Sequence, residues 1–545
     1  MGQRIMIDPI TRIEGHLRIE VEIENNRVKN AWCSGQMFRG IEMMLKGRDP
    51  RDAHHFVQRS CGVCTYVHAL SSVRAVEDAC NITIPDNARI IRNLIHGAQF
   101  QHDHIVHFYH LHALDWVDIV DALSADPVKT AKLSANVSGR PESAEYFKTT
   151  QERLKTFVAS GQLGPFNNGY WGHSAYALPP EANLMAAAHY IEALKLQAKA
   201  ARMHAVFGGK NPHPQFLVVG GVTSVNDLNI DRIKEFEDIW KETKAFVDEV
   251  YIPDLMAIAS FYKNWGAIGG NNKAFLAYGD YPEESTESRL LIPAGFIRKG
   301  LSVENLNLDL ITEDVTRAWY ENSPPSHPYA GKTDPIKGEV DYNTDNKYSW
   351  VKAPRYDGLA AEVGPLARVL VAYGKGDATA KSLVDATLKK LGIGTEALFS
   401  TLGRTAARGL ETTIIGNAMG KWLDELRTNI SKGDRKTYQS WTMPQTGKGC
   451  GLNDVPRGAL GHWIEIEDGK IKNYQYVVPS TWNFGPSDDK GNKGPVERSL
   501  IGTPIADPKM PLEILRTVHS YDPCLACAVH VIDPHTNEIY KVRVS

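Results

Sequence analysis

Two short cysteine pairs lie at opposite extremities of this chain, Cys61-Gly62-Val63-Cys64 and Cys524-Leu525-Ala526-Cys527, and they are 463 positions apart. A C-x-x-C spacing lets two sulfurs turn toward one point. Four thiolates from two such pairs make a soft, all-sulfur site suited to zinc, iron–sulfur or nickel. If the pairs act together, the chain is not a row of independent domains, because its ends have to meet. Spacing alone leaves four readings open: a structural four-cysteine zinc site, a redox dithiol, unrelated buried cysteines and a catalytic metal centre. Zinc ribbons keep their pairs within about 20 residues, and neither pair has an obvious strand-to-helix thioredoxin context. Cys33, Cys80 and Cys450 are read as structural, since an odd total of seven makes a poor disulfide framework.

The rest of the composition narrows the class. With 42% hydrophobic and 23% charged residues, the 545-residue chain is globular. Lys plus Arg number 61 against 64 Asp plus Glu, so there is no basic footprint for nucleic acid or anionic lipid. No apolar run approaches the ~18 residues of a membrane helix. Arg4, Asp8 and Arg12 stand where a signal peptide keeps an uncharged apolar core. The expectation is therefore that any export depends on another protein.

Leu17, Ile19, Val21 and Ile23 alternate with charged residues, and Asn25-Asn26 marks a turn before Val28–Trp32, which predicts a hairpin. Residues 462–479 predict a second hairpin about Asp468-Gly469. Between Pro85 and Pro127 Gly97 is the sole glycine, and apolar residues recur at helical spacing, predicting one long helix or two in line. Further helices are expected at about 181–206, 230–262, 365–391 and 396–431. Residues 323–354, rich in Pro, Asp, Asn and Lys, read as a long excursion or irregular sheet. The expected fold is α+β, a central long-helix bundle with strand-rich N- and C-terminal segments that converge on the metal site. We read residues 1–545 as a single interwoven unit. It comprises N-terminal strands (1–60), a mainly helical middle (61–440), C-terminal strands with the second cysteine pair (441–530) and an extension (531–545).

The surroundings of the cysteines carry a resemblance. Thr11-Arg12-Ile13-Glu14-Gly15-His16, Arg59-x-Cys61-Gly62-Val63-Cys64-x-x-x-His68, Gly208-Gly209-Lys210-x-Pro212-His213-Pro214, Pro456-Arg457-Gly458 and Asp522-Pro523-Cys524-x-x-Cys527-x-x-His530 occur in that order from near residue 8 to the C-terminus. With these motifs the chain resembles the large, catalytic subunit of the nickel–iron hydrogenases, uptake type, over essentially its whole length. The resemblance implies a binuclear Ni–Fe centre with cyanide and carbon monoxide on iron. Cys61 and Cys524 would bind nickel terminally, and Cys64 and Cys527 would bridge the metals. Some relatives carry selenocysteine at the terminal position; Cys524 places this chain with the all-cysteine type.

The same resemblance assigns roles to other residues that, taken singly, read as turn acids or ordinary salt bridges. Glu14 is similar to the first proton-relay carboxylate beside Cys524. Asp103, Asp522, Arg457 and Pro456 resemble the shell around the open coordination positions, with Arg457 as a donor fork toward a cyanide nitrogen. Ser480 resembles the hydroxyl donor to the other cyanide. His68 is placed to hydrogen-bond a bridging sulfur. Glu42, His530 and the backbone carbonyl of Tyr476 resemble ligands of a magnesium ion, for which a histidine is unusual. His96, His102, His104, His107, His110 and His112 crowd one stretch. A zinc or copper site on one helical face is the sharp reading. The preferred one is a subunit interface or packing with Asp103, Asp115 and Asp118.

In similar proteins a short tail after the histidine at the His530 position is removed by a dedicated endopeptidase once metal is loaded, so residues 531–545 read as a precursor extension. The implied activity is H2 ⇌ 2H⁺ + 2e⁻. Protons would leave through Glu14, and electrons through an iron–sulfur small subunit that forms a heterodimer with this chain. Three cysteines beyond the site are too few for a cluster needing four thiolates. The further implied partners are nickel-insertion factors, the maturation endopeptidase and an electron acceptor such as a cytochrome; nucleic acid is not among them. The location implied is cytoplasmic before maturation, then periplasmic and membrane-associated by co-export with the small subunit. The rival class is a non-catalytic scaffold with a structural four-cysteine zinc site, or a cysteine-poor relative of the complex I quinone-site subunit. Retention of all four cysteines argues against the latter.

Overall fold

The computed structural model describes residues 3–161, 166, 169–224 and 228–526, and the backbone of Val542 and Arg543. The N-terminal strands β1 (Gln3–Ile7), β2 (Leu17–Glu24) and β3 (Arg27–Gly35) form an antiparallel sheet in that order. Asn25 and Asn26 turn the hairpin with φ of 52° and 56°, the left-handed pair whose twist matches the flanking strands. Leu17, Ile19, Val21 and Ile23 face the core, as the alternation predicts. The opposite face is covered as well, because Arg18 lies 3.7 Å from the Tyr342 ring centroid. The 323–354 excursion thus folds back over the strands.

The helical body comprises α1 (Val67–Ala79), α2 (Asp86–Val106), α3 (Pro127–Val137), α4 (Ala144–Ala159), α5 (Pro180–Gly208), α6 (Ile230–Phe246), α7 (Ile252–Phe261), α8 (Pro365–Gly374), α9 (Ala378–Leu391) and α10 (Thr401–Ser431). α2 packs between α10 and α5, and α10 also contacts α6 and α8. The predicted 365–391 helix is two helices, α8 and α9, separated at Lys375–Asp377. Gly376 has φ +81°, and Asp377 caps the Ala380 N–H. α2 runs on through a wider π-turn at His107–His112 and then breaks into short turns, so the helix does not reach Pro127. Two- and three-stranded sheets interrupt the helical middle on either side of α6 and α7, at residues 217–222 and 275–356.

C-terminally, β4 (Thr446–Val455), β5 (Gly458–Glu467) and β6 (Lys470–Val477) form an antiparallel meander. The predicted turn at Asp468-Gly469 is present, both residues with positive φ. Three short helices follow, the last of them α11 (Leu512–Ser520), so the strands end well before the second cysteine pair. The backbone of Val542–Arg543 lies parallel to Val340–Asp341.

One alternation sets the distance between the two halves. Gly447, Gly449 and Gly451 occupy every second position of β4, so one face of the strand has no side chains there. The α1 backbone lies directly on that face. A Cβ at Gly447 would stand 2.9 Å from the Ala79 carbonyl oxygen, and Cβ atoms at Gly449 and Gly451 would overlap those of Ala75 and Ser71. This contact sets the start of α1, which follows Cys64, against the β4–β5 turn that carries Arg457. Gly451→Ala should therefore lower stability by about 1–3 kcal/mol or more through overpacking. Lys448→Ala, on an exposed side chain of the same strand, should be near neutral. Thermal unfolding of the two variants checks this.

Candidate metal centre

Cys61 follows a short 3-10 turn (Gln58–Ser60) in extended conformation, and Cys64 lies in the tight turn that leads into α1. The Cys64 amide donates to Cys61 Sγ at 3.2 Å, which closes the C-x-x-C loop. Cys524 arrives from the other end of the chain, just after α11. Its Sγ lies 3.4 Å from Cys61 Sγ and 3.4 Å from Cys64 Sγ. At metal–sulfur lengths of about 2.3 Å, sulfurs sharing one ion stand roughly 3–4 Å apart. The three thiols thus fit a common metal, and all three are buried in the largest apolar core. Cys527 and His530 lie outside the described residues.

Backbone pairing brings Cys524 to this point. Glu14 and Cys524 form a parallel bridge: the Glu14 amide donates to the Pro523 carbonyl at 3.3 Å, and the Leu525 amide to the Glu14 carbonyl at 2.8 Å. Gly15 makes the approach possible. Its φ is +82°, and a Cβ there would stand 2.6 Å from the Ala526 nitrogen. The Glu14 carboxylate is then fixed by the same segment, with Oε2 accepting from the Ala526 amide at 2.9 Å and from Cys524 Sγ at 3.2 Å. Burial raises its pKa above the ordinary carboxylate value, against the opposing effect of the Cys524 hydrogen bond.

Arg457 closes the other side. It lies in the β4–β5 turn, where Gly458 (φ +135°) passes against Gly364 and Val363. Nη1 donates to Cys64 Sγ at 3.2 Å and to Asp103 of α2 at 2.9 Å, and Nη2 lies 3.1 Å from Asp522. The guanidinium is fully buried, and this ring of anionic partners holds it cationic. Asp522 has the opposite problem: burial raises its pKa despite Arg457 and Arg408. The Pro456 carbonyl accepts from Arg368 at 3.2 Å, and Ser480 Oγ accepts from the Cys524 amide at 3.0 Å, leaving the hydroxyl proton free to point elsewhere. A small cavity opens among Cys64, Cys524, Arg457, Ser480, Pro479 and His68, with Val67, Val455 and Leu460 as its apolar wall.

His68 borders that cavity, and its Nδ1 lies 3.3 Å from His462 Nε2, whose ring in turn meets the Tyr474 hydroxyl at 2.7 Å. Burial lowers the His68 pKa to about 4, so the ring is neutral near neutral pH. Glu42 is buried apart from the sulfurs. It accepts from the Tyr476 amide at 3.0 Å and from the Thr333 hydroxyl, with Lys352 at 3.8 Å. Burial raises the pKa of both Glu42 and Glu313, which share that one lysine.

The histidine run is not a metal box. His96 pairs with Asp280, His102 with Asp103, His104 with Glu411 and His112 with Asp115, while His107 and His110 meet carbonyl oxygens of His519 and Tyr190. The π-turn after Val106 changes the angular spacing, so His104, His107 and His110 address three different partners. Four of the six are buried and His102 and His110 partly so; the His102–Asp103 and His112–Asp115 pairs are the packing expected, whereas Asp118 is not among their described partners. Sequence reasoning missed Arg408, whose two terminal nitrogens both donate to the Ser520 carbonyl at 3.1 Å, close to the second cysteine pair. The available signal was Arg404, Arg408 and Glu411 at helical spacing in an otherwise apolar stretch.

Residues 39–530 match the nickel-dependent hydrogenase family. The chain is 51% identical to the uptake hydrogenase large subunit of Rhizobium leguminosarum bv. viciae, covering 100% of this chain and 98% of that one. It is 46% identical to the hydrogenase-1 large chain of Escherichia coli K12, covering 100% and 97%. Among solved structures, the nickel–iron–selenium hydrogenase of D. vulgaris Hildenborough superposes with a TM-score of 0.82 at 36% identity, covering 97% of this chain and 100% of that one. A structural zinc site has no support in these relatives. The sulfur cluster joined from both chain ends and the full-length similarity lead to one conclusion: the chain belongs to the large-subunit family of the nickel-dependent hydrogenases, the enzymes that interconvert H2 with protons and electrons.

Proposed function

We propose that Cys61, Cys64 and Cys524, with Cys527, hold the Ni–Fe centre of this hydrogenase, and that Glu14 carries its protons. The convergence of three sulfurs from opposite chain ends, with Glu14 on one of them and Arg457 on another, carries this reading. The resemblance assigns Cys61 and Cys524 to nickel and Cys64 and Cys527 to both metals. When bound, the centre polarises H2 and accepts its two electrons. The chain's own residues do the rest. Cys524 Sγ and Glu14 Oε2 are within proton-transfer distance, and the carboxyl can accept and release a proton with little rearrangement because the Ala526 amide holds it in place. Arg457, kept charged by Asp103 and Asp522, compensates an anionic, cyanide-bearing iron. Ser480 and, from the turn about Pro456, Val455 and Arg457 line the same cavity, where Ser480 and Pro456 would face the cyanide and carbon monoxide ligands of the iron. His68 lines the same cavity, and its Nδ1 meets His462 in place of the expected sulfur.

The Glu42 pocket suits the magnesium ion, with the Tyr476 carbonyl and His530 as further ligands. The two electrons per H2 leave through a small subunit, which the large-subunit family implies. We read that partner as an iron–sulfur protein, with a cytochrome beyond it. Among the described residues no helix is long and apolar enough to cross a membrane, which is consistent with a periplasmic, membrane-associated location reached by co-export with that partner. We read residues 531–545 as an extension removed after His530 by an endopeptidase once nickel-insertion factors have loaded the site.

Three outcomes test this reading. Cys61→Ala and Cys524→Ala should each abolish nickel binding, measured by metal analysis of the purified subunit pair, whereas the parent holds nickel with iron; zinc in its place would overturn the assignment. Glu14→Gln should keep nickel near parent content while H/D exchange between D2 and water falls by at least about 100-fold, the scale of a lost proton-transfer group. Loss of nickel instead would make Glu14 structural. Intact-mass measurement of active enzyme should show a chain ending at His530; active enzyme retaining Ser545 would contradict the processing step.

A further inference from the structure

Behind the Glu14–Cys524 contact lies a second buried cluster that the proton path does not use. Asp115 is fully buried. Its Oδ1 meets Arg12 Nη2 at 2.5 Å, and its Oδ2 meets His519 Nδ1 at 2.6 Å and His112 Nδ1 at 3.2 Å. Arg12 also donates to the Leu111 carbonyl at 2.7 Å, and His519 Nε2 reaches the Thr11 carbonyl at 2.9 Å.

The contacts are directional. A carbonyl only accepts, so His519 Nε2 donates to Thr11, while Nδ1 lies against a carboxylate that Arg12 holds well below the usual carboxylate range. His112 turns Nδ1 to the same carboxylate, and its Nε2 meets Trp116 Nε1 and the Thr405 hydroxyl, each at 3.0 Å. His112, Asp115 and His519 bring their ligand atoms within 4.8 Å of one another, as a metal site would. Yet the carboxylate already serves the Arg12 guanidinium and two imidazoles, and a divalent ion would have to displace Arg12 and His519 from it. The cluster is an ion clamp.

The clamp holds the two segments whose separation sets the proton contact. Arg12 and Thr11 belong to the loop that carries Glu14 two residues later. His519 lies in the last turn of α11, its carbonyl accepts from the Asp522 amide at 2.9 Å, and Cys524 follows. Arg12 itself has φ 56°, a backbone conformation that side-chain anchoring has to maintain. We propose that Asp115 and His519 are positioning residues for proton transfer: the Arg12–Asp115–His519 clamp sets the distance between Glu14 and Cys524. This rests on Glu14 being the proton carrier.

The test uses the purified subunit pair with Asp115→Asn, His519→Gln and Arg12→Lys, alone and combined with Glu14→Gln. Asp115→Asn is expected to keep nickel near parent content and to lower D2/water exchange per nickel by about 100-fold, the scale of a ~1 Å misplacement. The amides of Leu525 and Ala526, which donate to Glu14, should exchange with deuterium faster, a readout independent of activity. In the Glu14→Gln background Asp115→Asn should add no further loss, since both act on one step. An equal additional loss in that background, or unchanged amide exchange, would overturn the proposal. If Asp115→Asn does not yield loaded enzyme, Arg12→Lys and His519→Gln carry the same expectation, and unchanged per-nickel exchange in both would overturn it. If Glu14→Gln alone leaves exchange intact, the carrier assignment fails by itself, and the amide readout still decides whether the clamp sets the geometry.

Discussion

The meeting of Glu14 with the 523–526 segment is the contact on which the centre depends. Two backbone hydrogen bonds and one carboxylate join residues about five hundred positions apart, and the Cys524 sulfur is placed by that pairing. Closing so long a loop costs conformational entropy, although the cost grows only logarithmically with length. The surrounding core offsets it: Leu17, Val57, Leu70, Ile514 and Leu525 are fully or almost fully buried in one cluster with the cysteines. Gly15 permits the approach because its positive φ and missing Cβ leave room for the Ala526 amide.

Charge follows the same logic. Arg457, Arg404, Arg368 and Arg408 are all buried, and an unpaired buried guanidinium would be strongly destabilising. Each is matched. Arg457 meets Asp103 and Asp522, Arg404 meets Glu362 at 2.7 Å, Arg368 meets Glu411 and Asp454, and Arg408 caps the Ser520 carbonyl. These pairs link α2, α8, α10 and the C-terminal segment, so the polar network that encloses the sulfurs also registers the helices against one another. Removing one partner would leave the other charged and dry, which ties the geometry of the centre to the integrity of the fold.

Much of this was legible in the chain itself. Period-two alternation found β2, and the Asn25-Asn26 and Asp468-Gly469 turns found both hairpins, because residues tolerant of positive φ mark such turns locally. The helices at 181–206 and 396–431 were visible for the same local reason. The break at Gly376 was masked by good helix formers on both sides. The histidine run paired with Asp103 and Asp115 as preferred, while the π-turn at His107–His112 separates the three rings whose spacing suggested one helical face. The Gly447, Gly449 and Gly451 alternation was present in the sequence, but its meaning depends on a helix from residues 67–79 lying across it.

From sequence alone, residue type and short-range spacing marked the two cysteine pairs as candidate ligands and located the elements that bear them, while the family resemblance singled out Glu14 and Arg457. The tertiary structure decided which groups meet. It placed Glu14 on Cys524 and not in solvent, split Arg457 between a sulfur and two carboxylates, and joined Asp115 to Arg12 and His519. Those pairings arise from packing across hundreds of residues, where burial makes an unsatisfied charge costly and so selects one set of partners.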